Sequence, residues 1–564
     1  MSRRAWVALV VGAMAAAGGL GACGGRIDAA DFAIDAAVDA APPLVTPTMV
    51  VSPPPGTFAA APAITITFAD PDGRLGPLDL WYTTDGSPPV IGTSTRAQPG
   101  VPFTLDRSRG LRVFAADPNG AIRFSFFGAY LVVDSTVATF SSNLPVLVLW
   151  GETVVPVTKD EPFVASSLSV FEPGAGRVSW PGPSQQTVRA GIKIRGSSTA
   201  GYPKHPWHVE TRGGLVDGDA GLALLGMAAE SDWALNAPLD FDRALMRNSL
   251  AFALSNAMER WAPRTEFAEV FIAGTGETVG LDDYVGVYEV TEMIKRGDDR
   301  VDIAELRRGD IAPPKVTGGY IFKEDRLGPG EAGFRAGSGV PANTLYFQNS
   351  FVLVEPEEAD AAPEQKAYLK QYLDDVGVAV TSPTFTTPAG VHYSQLIDVD
   401  GFIDHNIVNM FTRNPDAFRL SGYYTKDRDG LLVEGPVWDF DRTMGCTSDD
   451  RARDPIGWGD TGGVGFFDHG FYRGLFRDPV FRARYFDRLG QLLKGPLSPR
   501  ATARWIDGWA PRLEEAAARN FARWTSYPPR MSYANEVALL KQWLATRAEW
   551  MTSCLALPDP RTCM

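Results

Sequence analysis

Apolar and polar positions alternate in short runs over residues 47–134: AITITFAD, DLWYTTDG, GLRVFAAD and IRFSFFGAYLVV, separated by Pro, Gly and Asp turns. Runs of period two predict strands, and several at this spacing predict a small antiparallel sandwich. From residue 144 the pattern changes. LPVLVLW, VRAGIKIRG, TEFAEVFIAG, YVGVYEVTEMI and GGYIFKED read as strands, interleaved with helical stretches. DRALMRNSLAFALSNAMERW has apolar residues at helical spacing behind an acidic entry, as does the run following Ile397. Residues 501–564 predict two amphipathic helices that close the chain. The fold class is therefore α+β, a small all-β unit ahead of a mixed domain over residues 144–500.

The first residues follow a different logic. Arg3 and Arg4 precede an apolar run to Leu20, and small residues lead to Cys23, so residues 1–22 read as a secretory signal. Leu20-Gly21-Ala22-Cys23 resembles the lipobox of bacterial lipoproteins, which implies cleavage before Cys23, lipidation of that cysteine and attachment to a membrane. Residues 23–46, with repeated Asp-Ala-Ala and Pro, predict a disordered linker. The expected location is exported and membrane-anchored, on the periplasmic face or the cell surface.

Composition narrows the function. At 564 residues, two or three domains are expected, and 31 Phe with 14 Trp suffice for large cores. A net charge of −14 argues against nucleic acid as a partner. Cys554 and Cys563 close a short loop and read either as an oxidised pair or as free thiols at a frayed tail. No CxxC pair or Cys/His cluster points to structural zinc.

Four stretches carry chemistry. In residues 191–210, a strand leads into Arg195-Gly196-Ser197-Ser198-Thr199, with Lys204 following. Such a loop suits an anion through backbone N–H groups, hydroxyls and cations, or it is simply a hairpin. In residues 230–248, Asp240 and Asp242 are placed to cap the next helix, with Arg243 and Arg247 on one helical face. In residues 281–303, Glu289 and Glu292 lie near Lys295 and Arg296: either a carboxylate orients a phosphate-binding lysine, or the charges form a solvated cluster. In residues 414–445, Asp416 precedes a hairpin turning at 427–430, which returns the chain so that Asp439 approaches Asp416. Asp439 and Asp441 share one side of a regular strand, opposite Phe440. They suit one hard cation, or one ligand and one salt bridge.

Two resemblances follow. Pro55-Gly56-Thr57-Phe58, Tyr82-Thr83-Thr84-Asp85-Gly86-Ser87-Pro88 and Ala115-Ala116-Asp117-Pro118-Asn119-Gly120 resemble the chitobiase/β-hexosaminidase carboxy-terminal domain, implying an immunoglobulin/fibronectin-like sandwich over 47–134 that serves as spacer or binding platform. A glycosidase is the weak reading of that module. Ile194-Arg195-Gly196-Ser197-Ser198 with Tyr202-Pro203-Lys204, Ser231-Asp232-Trp233, Asp242-Arg243, Arg247-Asn248, Gly286-Val287-Tyr288, Thr291-Glu292 and Trp438-Asp439-Phe440-Asp441 are similar, in this order, to the CotH (spore-coat protein H) kinase family. That resemblance implies an atypical protein-kinase-like domain using ATP and Mg2+ or Mn2+. It implies Asp439 as metal ligand with Asp441 ambiguous, Asp416 as catalytic base, Arg195, Ser197, Ser198 and Lys204 at the phosphates, and Glu292 paired with Lys204. The expected function is an exported, lipid-anchored kinase acting on serine or threonine of envelope or surface proteins. The alternative is a catalytically inactive surface scaffold or adhesion lipoprotein.

Overall fold

The alternation read in strand Ala63–Ala69 is realised as packing: Ile64 and Ile66 are buried while Ala63, Thr67 and Ala69 face solvent. This is seen in a computed structural model that describes residues 46–151, 159, 162–274, 278–328, 331–335, 347–459 and 465–563. The expected signal segment, the lipidation site Cys23 and nearly all of the linker lie outside the described residues. Residues from Pro47 onward form one unit with mixed α and β structure.

Its first part consists of two sheets closing on a core of Ile64, Ile66, Leu80, Leu111, Val113 and Tyr130. One sheet joins Thr48–Ser52, Ala63–Ala69 and Phe103–Thr104; the other is built on the pair Arg109–Ala116 and Ile122–Val132. The second sheet also takes in Gly182–Pro183, which pairs with Gly56 and Thr57, so later sequence is stitched into this unit. A buried cation completes the join: Arg112 donates to Asp217 at 2.7 Å and to the carbonyls of Gly214 and Leu215 at 2.9 and 3.0 Å.

Next comes a sheet whose order runs Gln186–Ile194, Val164–Phe171, Val146–Trp150, Thr265–Ala273, Tyr284–Glu292, Asp232–Asn236, Trp207–Gly213. Gln186–Ile194 also pairs with Trp207–Gly213, which closes the sheet on itself as a barrel. Leu149, Val170, Ile192, Trp207, Trp233 and Tyr288 belong to the apolar core of this barrel. A five-stranded antiparallel sheet follows, in the order Gly333–Phe334, Ser350–Glu355, Tyr320–Asp325, Gly422–Lys426, Leu432–Glu434.

Seven α-helices occur among the described residues: α1 (Arg247–Ala257), α2 (Pro363–Thr381), α3 (Val399–Thr412), α4 (Tyr472–Leu475), α5 (Pro479–Lys494), α6 (Pro499–Arg523) and α7 (Tyr533–Cys554). The closing pair α6 and α7, expected as an extension after residue 500, is packed into the same core as the helices before it, through Leu513, Ala516, Leu540 and Leu544. No described helix is long and apolar enough to cross a membrane. Cys554 and Cys563 form a disulfide, and Cys446 is free and buried.

The helix expected from residue 242 begins at Arg247, so Arg243 lies outside it. The cause is Asp242, whose carboxylate accepts from the N–H groups of Ala244, Leu245 and Arg247 at 3.1, 3.0 and 2.7 Å. Three backbone donors gathered on one acid hold a loop, with Leu245 at φ +61°, ahead of the first helical turn.

Candidate active site

The barrel and the five-stranded sheet meet at an open cleft of about 390 Å3. Its barrel wall comes from the end of strand Gln186–Ile194. There Arg195 donates its backbone N–H to Pro206 O at 3.0 Å and its guanidinium to Asn236 Oδ1 at 2.8 Å. The guanidinium also lies over the Trp438 ring, 5.1 Å from its centre, bridging the two walls. Gly196 sits at φ +88°, where a Cβ would stand 2.3 Å from Thr199 Oγ1. That turn leaves Ser197 and Ser198 exposed at the cleft rim, and Ser198 Oγ accepts from Arg442 Nη2 at 3.1 Å.

The opposite wall carries the acids. The hairpin of Gly422–Lys426 and Leu432–Glu434 forms as read, but the strand stops at Glu434. Asp439 therefore does not lie on a strand; it sits at φ +62° in irregular chain. The left-handed kink turns Asp439 and Asp441 both toward the cleft and drives Phe440 fully into the core. Phe440 N–H donates to Asn248 Oδ1 at 2.6 Å, which fastens this segment to α1. Asp439 opens directly onto the cleft, yet the walls crowded around it still desolvate its carboxylate. That desolvation raises its pKa; Arg195 and Ser421 oppose the shift, while Asp325 and Asp416 add to it. Asp441 is pushed up to about 7, by desolvation first and then by the Asp439 charge.

Asp416 also faces the cleft, clamped by Arg419 and by Arg451 Nη1, the latter at 3.3 Å. Its own N–H donates to Asn414 Oδ1 at 3.0 Å, so backbone and carboxylate are both fixed. Arg195, Ser197, Ser198, Asp416, Asp439 and Asp441, drawn from segments more than two hundred residues apart, thus line one cavity.

Lys204 and Glu292 do not join them. Lys204 is 1% exposed and points away from the cleft, donating to Pro238 O at 2.9 Å, Val287 O at 2.5 Å and Asn520 Oδ1 at 2.9 Å. Burial pushes the amine's pKa well down, but three acceptors for its three N–H donors favour the charged form. Glu292 is buried against Arg264 at 2.6 Å and Arg300 at 3.4 Å, so the expected Lys204–Glu292 pair is not formed. Lys295 turns instead to Asp232, at 2.7 Å. Glu289 accepts from Ser249 N–H, Ser249 Oγ and Asn248 Nδ2, making it a structural acid behind the cleft.

Two lysines do line the cleft, Lys159 and Lys323; Lys323, on Tyr320–Asp325, has its Nζ 2.9 Å from Asp325 Oδ2. Desolvation works against the Lys323 charge, but Tyr423 and Asp325 outweigh it, and the ammonium is held above the usual lysine range. Ser421, at φ +50°, donates to Asp439 Oδ2 at 3.2 Å and to Asp325 Oδ2 at 3.4 Å, joining the two acids. The signal for this set lay in YIFKED, where Lys323 and Asp325 share one face of the strand, opposite Phe322 and Glu324.

Among the described residues no group of three or more His, Cys, Asp or Glu side chains is arranged to hold a metal ion. The donors at the cleft floor, Asp439, Asp441 and Ser421, are nonetheless all oxygens, the chemistry a hard divalent cation takes alongside phosphate and water. The cleft therefore pairs a cationic wall with an acidic floor. A family model described as CotH kinase protein matches residues 192–551, spanning both walls and running through α6 into α7. No curated protein matches the chain.

Proposed function

The chain belongs to the CotH kinase protein family, and from that premise we propose that it is an atypical protein-kinase-like enzyme that moves the γ-phosphate of ATP to serine or threonine of envelope proteins. The observation that carries this reading is the convergence of Asp416, Asp439 and Asp441 with Arg195, Ser197, Ser198 and Lys323 on one cleft. Phosphoryl transfer requires this division of labour, cations at the triphosphate and a carboxylate at the acceptor hydroxyl. Arg195 and Lys323 bind phosphate oxygens, and the Ser197 and Ser198 hydroxyls donate to them. Asp416, aimed by Arg419 and Arg451, takes the acceptor hydroxyl proton as the new O–P bond forms and the bond to the ADP leaving group breaks. Asp439 and Asp441 would hold Mg2+ or Mn2+, which when bound neutralises triphosphate charge.

Purified protein incubated with γ-labelled ATP, Mg2+ or Mn2+ and an envelope extract should label protein. Asp439→Ala should reduce the label about 100-fold or more, and Asp416→Asn by a similar factor. One observation favours a second reading, a non-catalytic surface scaffold: the Asp416 carboxylate is already engaged by two arginines. Absence of label together with absence of nucleotide binding in calorimetry decides for the scaffold.

Export and a lipid anchor at Cys23 complete the proposal. The Cys554–Cys563 disulfide supports it, since such pairs persist in oxidising compartments. The two-sheet unit then acts as a fibronectin-like spacer between anchor and cleft. In detergent phase separation, Cys23→Ser protein should move to the aqueous phase; wild-type protein already found there would sink the anchor.

A further inference from the structure

A second cavity, of about 570 Å3, shares no lining residue with the cleft. Its walls are largely apolar, with Trp261, Ile303, Leu431, Val433 and Val437 among them, and its size is that of a small-molecule site. Two independent features distinguish it from a packing gap. The first is His405 of α3, which lines the cavity at only 7% exposure and whose ring nitrogens have no hydrogen-bond partner among the described residues. Its Nδ1 faces Gly435, where a Cβ would lie 3.5 Å from that nitrogen and meet nothing else within 4 Å, so the glycine leaves the space before the ring open. Burial pushes His405 down to about 3, and the neutral ring offers one donor and one acceptor.

The second feature is charge at the mouth. Glu259 and Asp302 line the cavity as exposed carboxylates, and no cation among the described residues pairs with either. The two arginines that line the cavity are committed elsewhere, Arg260 to Asp398 at 3.0 Å and Asp404 at 2.9 Å, and Arg300 to Glu230 at 3.5 Å and Glu292 at 3.4 Å. Apolar walls, an unpartnered imidazole within and unneutralised acids at the opening select one class of ligand.

We infer that this cavity binds a small amphipathic organic cation, an amine with an apolar, ring-sized body. The body fills the space between Val433 and Trp261, a polar ring atom meets His405, and the ammonium rests between Glu259 and Asp302.

The test uses full-length protein with tryptamine and its neutral counterpart, indole-3-ethanol, titrated by calorimetry and saturation-transfer NMR. Tryptamine should bind at one saturable site, about fivefold or more tighter than the alcohol. Glu259→Gln with Asp302→Asn, both at the surface, should erase that preference, and Val433→Trp should abolish binding of both compounds. A magnesium complex of a non-hydrolysable ATP analogue should leave tryptamine affinity unchanged, which keeps this site separate from the cleft and from its kinase reading. The inference is overturned if wild-type protein binds neither compound, if the charge-neutral variant keeps the preference, if folded Val433→Trp protein binds as before, or if the analogue competes.

Discussion

Lys204 and Lys323 carry the same side chain into opposite circumstances, and their substitutions should separate accordingly. Lys204→Met strands three buried acceptors, Pro238 O, Val287 O and Asn520 Oδ1, and should destabilise the fold by about 2–4 kcal/mol in denaturant titration. Lys323→Met sits at the cleft, so it should leave the denaturation midpoint nearly unchanged while weakening nucleotide binding about tenfold in calorimetry. The reverse pattern would return the phosphate role to Lys204. Why the sequence pointed to Lys204 is plain at this scale. Tyr202-Pro203-Lys204 directly follows the exposed serine loop, whereas the acceptor Asn520 lies 316 residues away, beyond the reach of any local pattern. Asp416, Asp439 and Asp441 were legible because short-range features mark them: a residue before a hairpin, and a pair spaced by one apolar side chain. The left-handed turn at Asp439 was not, since a positive φ on aspartate leaves no mark in composition.

Among the elements, the short strand Leu432–Glu434 carries a titration that stability can report. Glu434 is buried, accepts from Tyr424 Oη at 3.1 Å and pairs with no cation among the described residues, so desolvation lifts it from 4.5 to about 8. A carboxyl raised in the folded state keeps its proton there longer than in the unfolded chain. Its contribution is therefore complete below pH 4.5 and is lost as pH rises to about 8, with a slope of at most about 1.4 kcal/mol per pH unit. Glu289, also pushed up to about 8, has the same sign in the same window. Urea midpoints measured from pH 5 to 9 should fall and then level off, and Glu434→Gln should remove part of the fall; a rise across this range would contradict the assignment. Period-two patterning located about half of the strands, including Tyr320–Asp325 and Gly422–Lys426, and missed Val164–Phe171, Asp232–Asn236 and Ser350–Glu355. Closure of the barrel was not readable, because the Gln186–Ile194 and Trp207–Gly213 pairing depends on register and curvature rather than on the order of apolar residues.

On the scale of the whole molecule, the closing helices belong to the body that holds the cleft. Asn520 of α6 accepts from both Lys204 and Val287 N–H, and Arg519 pairs with Glu269 of the barrel at 2.5 Å. Truncation before Pro499 should thus yield protein without a cooperative thermal transition, whereas a well-folded truncated chain would show the pair to be an appendage. The Arg112–Asp217 link ties the N-terminal two-sheet part to the same body. Asp217→Ala should expose the 134–141 connection to limited proteolysis while leaving nucleotide binding intact.

The Asn520–Lys204 contact also fixes an order of events in the life of the chain. Residues of the cleft itself end at Arg442, yet the lysine beneath its Pro238 rim gains its third acceptor only when residue 520 arrives. During synthesis, every described side chain that lines the cleft can emerge while the support under the rim is still missing. Completion of the cleft's support is therefore timed by the arrival of α6, and a chain interrupted before that helix carries the cleft residues without the contact beneath their rim.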